Sequence, residues 1–154
     1  MSDAQTPQQK ALMTRAAVLF FLAMLTGIWV GVVFTQGRAL MLQLDLHPKH
    51  ERLALGAHLN ALFGCFWLLG VAWTLPHSRL SEQWKGRLAS LVSLVAYANW
   101  GVTLLASVVD ARGLAFEGNV RNDAIAVLLM AGVVLPGLAA SGLWAWGLLG
   151  ARER

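Results

Sequence analysis

Four of the polar side chains inside the charge-free apolar runs of the sequence call for an explanation: His58 and Asn60 in one run, Asn99 and Thr103 in the next. Imidazole and carboxamide groups are costly in hydrocarbon and face a bundle interior or a cavity, and an ionisable one there is a functional candidate by default. Two roles are open to His58. One is structural, a hydrogen bond between neighbouring elements. The other is ligation. A lone imidazole cannot build a zinc site, which takes about four N, S or O ligands, and these runs hold no acid and no second histidine at depth, His77 standing at the end of its run. It does suffice as the one axial ligand of a haem, because the porphyrin supplies four nitrogens and the sixth iron position stays open for chemistry.

The other polar groups extend the pattern. Asn99, Thr103, Ser107 and Asp110 follow one another at spacings of 4, 4 and 3, which places them on one helix face. Such a stripe can line a polar path from the outer mouth down to His58. The alternative for Thr103 and Ser107 is interhelical hydrogen bonding alone, worth about 1 kcal/mol or less per bond. His58 lies seven residues after Glu51, and Asn99 eleven before Asp110. On antiparallel helices those separations are about 11 and 17 Å from the same side, so the two groups fall within roughly a turn of each other in depth.

The remaining candidates are weaker. His47 and His50 flank Pro48, and His77 stands beside Ser78 and Arg79; all three read as solvated interface residues. Cys65, the single cysteine, excludes an intramolecular disulfide and a thiolate cluster, and a thiol among apolar neighbours is ordinarily inert. The sequence holds no nucleophile motif, no Gly-rich phosphate loop after a strand and no buried pair of carboxylates.

The elements that must position these groups follow from where the charges fall. Of 154 residues 57% are hydrophobic and only 13% charged, about half the charge of an ordinary soluble domain. Residues 16–37, 53–78, 88–109 and 124–151 carry no Asp, Glu, Lys or Arg. Each run exceeds the roughly 20 residues that carry a helix across a bilayer, and lipid leaves backbone groups no partners except within a helix. The fold class is therefore all-α, a bundle of four transmembrane helices in a single integral membrane domain over 1–154. The spans are expected at about 14–37, 53–77, 87–110 and 123–150. The first run is too long for the 7 to 15 apolar residues of a signal peptide core, so it is read as a retained span.

Short connections make consecutive helices antiparallel neighbours. The side holding both tails and the 79–87 loop carries seven Lys and Arg, and the other side five, which favours cytoplasmic termini. The net charge of +4 is thus a topology signal. No loop gathers the basic and aromatic residues of a nucleic-acid platform, so no nucleic-acid partner is expected. Asn122 or Asp123 can cap the fourth helix, Pro136 should kink it, and Gly27 with Gly31 forms a GxxxG pair in the first span, a motif frequent enough by chance to carry no functional weight alone.

With these residues in place, the run from Arg52 through Ala57, His58 and Asn60 to Gly64, followed by Tyr97-Ala98-Asn99-Trp100, resembles the hydroxylaminobenzene mutases, small four-span membrane enzymes. The sequence is similar, more distantly, to styrene oxide isomerases. There the Ala57-His58 pair, its distance to Leu75-Pro76, the Ala98-Asn99 pair and Arg112-Gly113-Leu114 with Phe116 match as well. The resemblance covers residues 52–150; the first span agrees only in being hydrophobic. It implies a haem b isomerase in a bacterial inner membrane, with His58 as the metal ligand and the haem held between subunits of a homotrimer. It further implies that the iron acts as a Lewis acid on a small aromatic substrate.

Side chains that handle the epoxide in the styrene oxide isomerases correspond here to Gly64, Val95 and Thr103, and Gly64 and Val95 can donate no side-chain hydrogen bond. The expected activity is therefore rearrangement of an aromatic hydroxylamine to an ortho-aminophenol. Asn99, Asn60 and Thr103 are the candidate catalytic residues, and Tyr97 and Trp100 the candidates to pack on the porphyrin beside His58. The His58 N–H opposite the iron is expected on a backbone carbonyl one turn earlier. Epoxide isomerisation is the alternative within the enzyme class. A haem electron-transfer subunit would need a second axial ligand, for which only Met24 and Met130 offer themselves, and a haem-free structural bundle would be colourless.

Overall fold

A computed structural model of the chain describes residues 5–36, 38 and 48–150, without the side chains of 48–50. His47, the His50 side chain and the terminal Arg152 and Arg154 lie outside the described residues.

Helix α1 runs Pro7–Phe34, α2 Pro48–Thr74 and α3 Glu82–Val109. The fourth span consists of α4 (Val120–Leu129), a π-helical turn (Met130–Val134) and α5 (Leu135–Leu149). Four stretches, Pro7–Phe34, Glu51–His77, Glu82–Val109 and Val120–Leu149, are long and apolar enough to cross a membrane, and the described residues contain no strand. The architecture is the expected all-α four-helix bundle of an integral membrane protein.

The helices begin several residues earlier than the charge-free runs. Thr6 starts α1 with a reciprocal cap: its hydroxyl accepts from Gln9 N at 3.3 Å, and Gln9 Oε1 accepts from Thr6 N at 3.0 Å, ahead of Pro7 in the first turn, where proline costs no hydrogen bond. Lys10 and Arg15 therefore belong to α1, and Lys85 and Arg87 to α3. Long cationic side chains reach the interface from within a helix, so the runs mark the lipid core and not the helix ends.

The cap of α4 also differs from expectation. Asn119 is the N-cap, accepting from Arg121 N at 3.0 Å and Asn122 N at 3.4 Å. Asn122 is instead buried against the preceding loop, where its Oδ1 accepts from Gly113 N at 2.8 Å and its Nδ2 donates to Ala115 O at 2.6 Å. Asp123 accepts from Glu117 N at 2.9 Å. Gly113 has φ +63°, and a Cβ there would lie 2.4 Å from Ile125 Cγ2, so the loop is closed tightly onto α4. Pro136 does not break the fourth span; the wider π turn before it, with Leu135 N donating to Met130 O, absorbs the missing donor and the ring clash.

The core is a narrow seam. Leu12, Ala16, Leu19 and Ala23 of α1 meet Ala61, Cys65, Leu68 and Ala72 of α2 and Leu88, Val92 and Ala96 of α3. Large apolar side chains such as Phe21, Ile28, Phe63, Phe66 and Trp73 face outward, as bilayer-facing residues do, and small ones sit where backbones approach. Three indoles cross-link the bundle. Trp29 Nε1 donates to Ser107 Oγ at 3.2 Å, Trp100 Nε1 to Thr26 Oγ1 at 2.9 Å and Trp144 Nε1 to Thr74 Oγ1 at 2.9 Å.

Candidate haem-ligand site

His58 is partly buried on the flank of α2 that meets α1. Its Nδ1 lies 2.9 Å from the carbonyl oxygen of Ala23. That partner sits on the neighbouring helix, a correction to the expected carbonyl one turn back on α2. A carbonyl can only accept, so Nδ1 carries a proton, which in the neutral ring leaves the lone pair on Nε2. Nε2 has no hydrogen-bond partner among the described residues. One available imidazole nitrogen with its opposite N–H held by a backbone carbonyl is the donor arrangement that an axial haem ligand requires, so the residues fit that group. Among the described residues no three His, Cys, Asp or Glu side chains come together to hold a metal ion without a porphyrin.

The other candidates gather on the opposite flank of α2. Asn60 Nδ2 donates to Thr103 Oγ1 of α3 at 3.4 Å, and Thr103 Oγ1 donates to the Asn99 carbonyl at 2.6 Å. Asn99 is partly buried, and its carboxamide has no hydrogen-bond partner among the described residues. His58 and Asn60 are two residues apart, a rotation of about 200° on a helix. Agreement in depth thus does not bring His58 and Asn99 together within one chain.

The polar stripe of α3 does not form an open path. Ser107 is fully buried; its hydroxyl donates to Leu104 O at 2.7 Å and accepts from Trp29 of α1. Thr103 turns toward α2. Beyond Ser107, a cavity of about 460 Å³ is lined by Asp110, Arg112, Glu117, Asn119 and Arg121, and it stays with the α3–α4 loop.

The aromatic candidates are tied to α1. The Trp100 indole meets Thr26, next to Gly27, so it shares a turn of α1 with the His58 anchor. The Tyr97 hydroxyl donates to Arg15 O at 2.8 Å, eight residues and about 12 Å along α1 from Ala23. Met24 and Met130 are both exposed, and so is His77.

Sequence reasoning missed Ala23 and Gly27. A Cβ on Gly27 would fall 3.3 Å from His58 Cε1 and 3.5 Å from Nδ1, whereas Gly31 has nothing within 4 Å. The GxxxG pair held the signal, but only half of it faces the site. Gly64 is a second close approach: a Cβ there would lie 3.0 Å from Leu19 Cδ2 and 3.1 Å from Ala96 Cβ.

No curated protein matches the chain. A family model described as styrene oxide isomerase matches residues 8–149, which takes in the first span as well as the region of the motifs. A match across nearly the whole chain, on a bundle of four membrane-crossing helices, makes this an isomerase-type membrane protein: the chain belongs to the styrene oxide isomerase family.

Proposed function

We propose that this protein is a haem b-dependent isomerase that rearranges an aromatic hydroxylamine, of which hydroxylaminobenzene is the simplest, into the ortho-aminophenol. The observation that carries the proposal is the His58 geometry, with Nδ1 held at 2.9 Å by Ala23 O and Nε2 left to ligate. Haem b, when bound, supplies a Lewis-acidic ferric iron that draws electron density from the N–O bond. In the overall change that bond breaks and oxygen rejoins the ring at the ortho carbon. The ring proton leaves that carbon and one is taken up at nitrogen, so atoms balance and no external oxidant or reductant is needed.

The chain's own contribution is to bind and orient. His58 holds the cofactor, and the Trp100 indole fixes the turn of α1 that anchors it. Asn99 and Asn60 offer amide donors and carbonyl acceptors that can hold the substrate's N–H and hydroxyl. The apolar surroundings of a site within the spans would limit water, which would otherwise trap a cationic ring.

The proposal includes a homo-oligomer, a trimer by the resemblance, in a bacterial inner membrane with cytoplasmic termini. The placement of His58 and the asparagines on opposite flanks of α2 supports an arrangement in which a molecule held at His58 meets asparagines of another copy.

Epoxide isomerisation is the second reading, favoured by the description of the family model. The position corresponding to an epoxide-handling asparagine is Gly64, at a helix contact with no room for a side chain, and Val95 is buried and cannot donate. Both substrates assayed on one detergent-purified preparation, beside His58→Ala, separate the readings. A Soret band lost in the variant together with aminophenol formation is expected. A colourless wild type after expression with ample haem, or a haem-loaded active His58→Ala, overturns the proposal; turnover of styrene oxide alone selects the second reading.

A further inference from the structure

We infer that Gly27 is a positioning residue for His58: the turn of α1 between Ala23 and Gly27 is a notch that seats the imidazole as its Nδ1–H tautomer and presents Nε2 as the ligating atom. Ala23 and Gly27 are four residues apart and so share a face. The first contributes the acceptor, 2.9 Å from Nδ1. The second contributes space, since a methyl there would crowd Cε1 at 3.3 Å while only touching Nδ1 at 3.5 Å, and the ring must then shift by a few tenths of an ångström in its seat against the carbonyl.

The notch is itself held in register. Thr26 is buried, and its hydroxyl donates to Leu22 O at 2.8 Å while accepting from Trp100 Nε1 at 2.9 Å. The backbone between 22 and 27 is thereby clamped to α3 while it carries the ring of α2. A hydrogen bond from Nδ1 to a carbonyl fixes the tautomer and raises the basicity of the ligating nitrogen. For its consequence at iron the inference rests on the haem reading; the tautomer is a property of the chain alone.

Gly31→Ala supplies a matched control, the same change one turn later on the same helix with nothing within 4 Å. In haem-free protein labelled with ¹⁵N at histidine, the His58 ring signals, assigned by their loss in His58→Ala, are expected to show a protonated Nδ1 and a bare Nε2. Gly27→Ala should shift both signals toward a mixture of tautomers, and Gly31→Ala should leave them in place. In haem-loaded protein the ferric/ferrous midpoint should move to more positive potential in Gly27→Ala only, because a weaker carbonyl bond makes the ligand less electron-rich. Wild-type ring signals of the Nε2–H tautomer overturn the notch without recourse to any variant, as does a Gly27→Ala that matches Gly31→Ala in both measurements. A wild type that takes up no haem overturns the haem reading and leaves the ¹⁵N comparison standing.

Discussion

Gly64 marks a close crossing of α2 and α3 in the core, and replacing it with alanine tests whether that contact sets the spacing of the helices. The new methyl would stand 3.1 Å from Ala96 Cβ and 3.3 Å from Ala96 Cα, whereas carbon atoms rest about 3.5 to 4.0 Å apart. Leu19 can swing its tip away, but Ala96 is backbone and Cβ, so α2 and α3 must separate by roughly 0.5 Å. Overpacking of this kind costs about 1–3 kcal/mol, partly offset by up to about 1 kcal/mol from replacing glycine within a helix. Gly70→Ala on the same helix gains the propensity without the clash, since nothing lies within 4 Å of that position. The two variants should therefore differ by about 1–3 kcal/mol, with Gly64→Ala the less stable. Unfolding by SDS titration in mixed micelles, followed by tryptophan fluorescence, reads the difference. Equal midpoints would refute the contact and, with it, the steric case against an asparagine at this position.

Asn99→Ala should leave stability within about 0.5 kcal/mol of wild type and the Soret band intact, because its carboxamide holds nothing in the fold, yet lower turnover roughly tenfold or more; full turnover would remove it from the site. Asn122→Ala strands the Gly113 N–H and the Ala115 carbonyl and should destabilise by about 1–3 kcal/mol, seen as an earlier unfolding midpoint and faster proteolysis between 111 and 119. An unchanged cleavage rate would show that the loop is held by other means.

Charge alone made the four spans legible, because a charge in hydrocarbon is costly enough to leave its absence as a signature. It did not mark the helix ends, since Lys10, Arg15, Lys85 and Arg87 belong to helices whose termini lie in the interface. His58 stood out for the same reason the spans did. Its depth relative to Asn99 followed from rise per residue, but which neighbour it faces depends on how the helices are arranged about one another, and no residue count gives that. The stripe from Asn99 to Asp110 was a true helical face, yet Ser107 met Trp29 on α1 and Thr103 met Asn60 on α2, because a helix in a bundle borders several partners at once. Asn122 and Asp123 suit a cap by residue type, which Asn119 shares; in the fold the first two bond the 113–117 loop and Asn119 is left to cap. Gly27 could be seen as small, but its purpose needed the ring that packs on it.

The fourth span is fastened at both ends. Asn122 pins its N-terminal end to the 113–115 loop, while Trp144 bonds Thr74 and Arg79 bonds the carbonyls of Gly147 and Gly150 at the C-terminal end. Between these fastenings lies the π turn, with Gly132 against Ala98, the neighbour of Asn99. A rod clamped at its tips and weakened at mid-length bows at that weak point under load. Bending of the fourth span is therefore expected at mid-length, beside Ala98, and not at its two fastened ends.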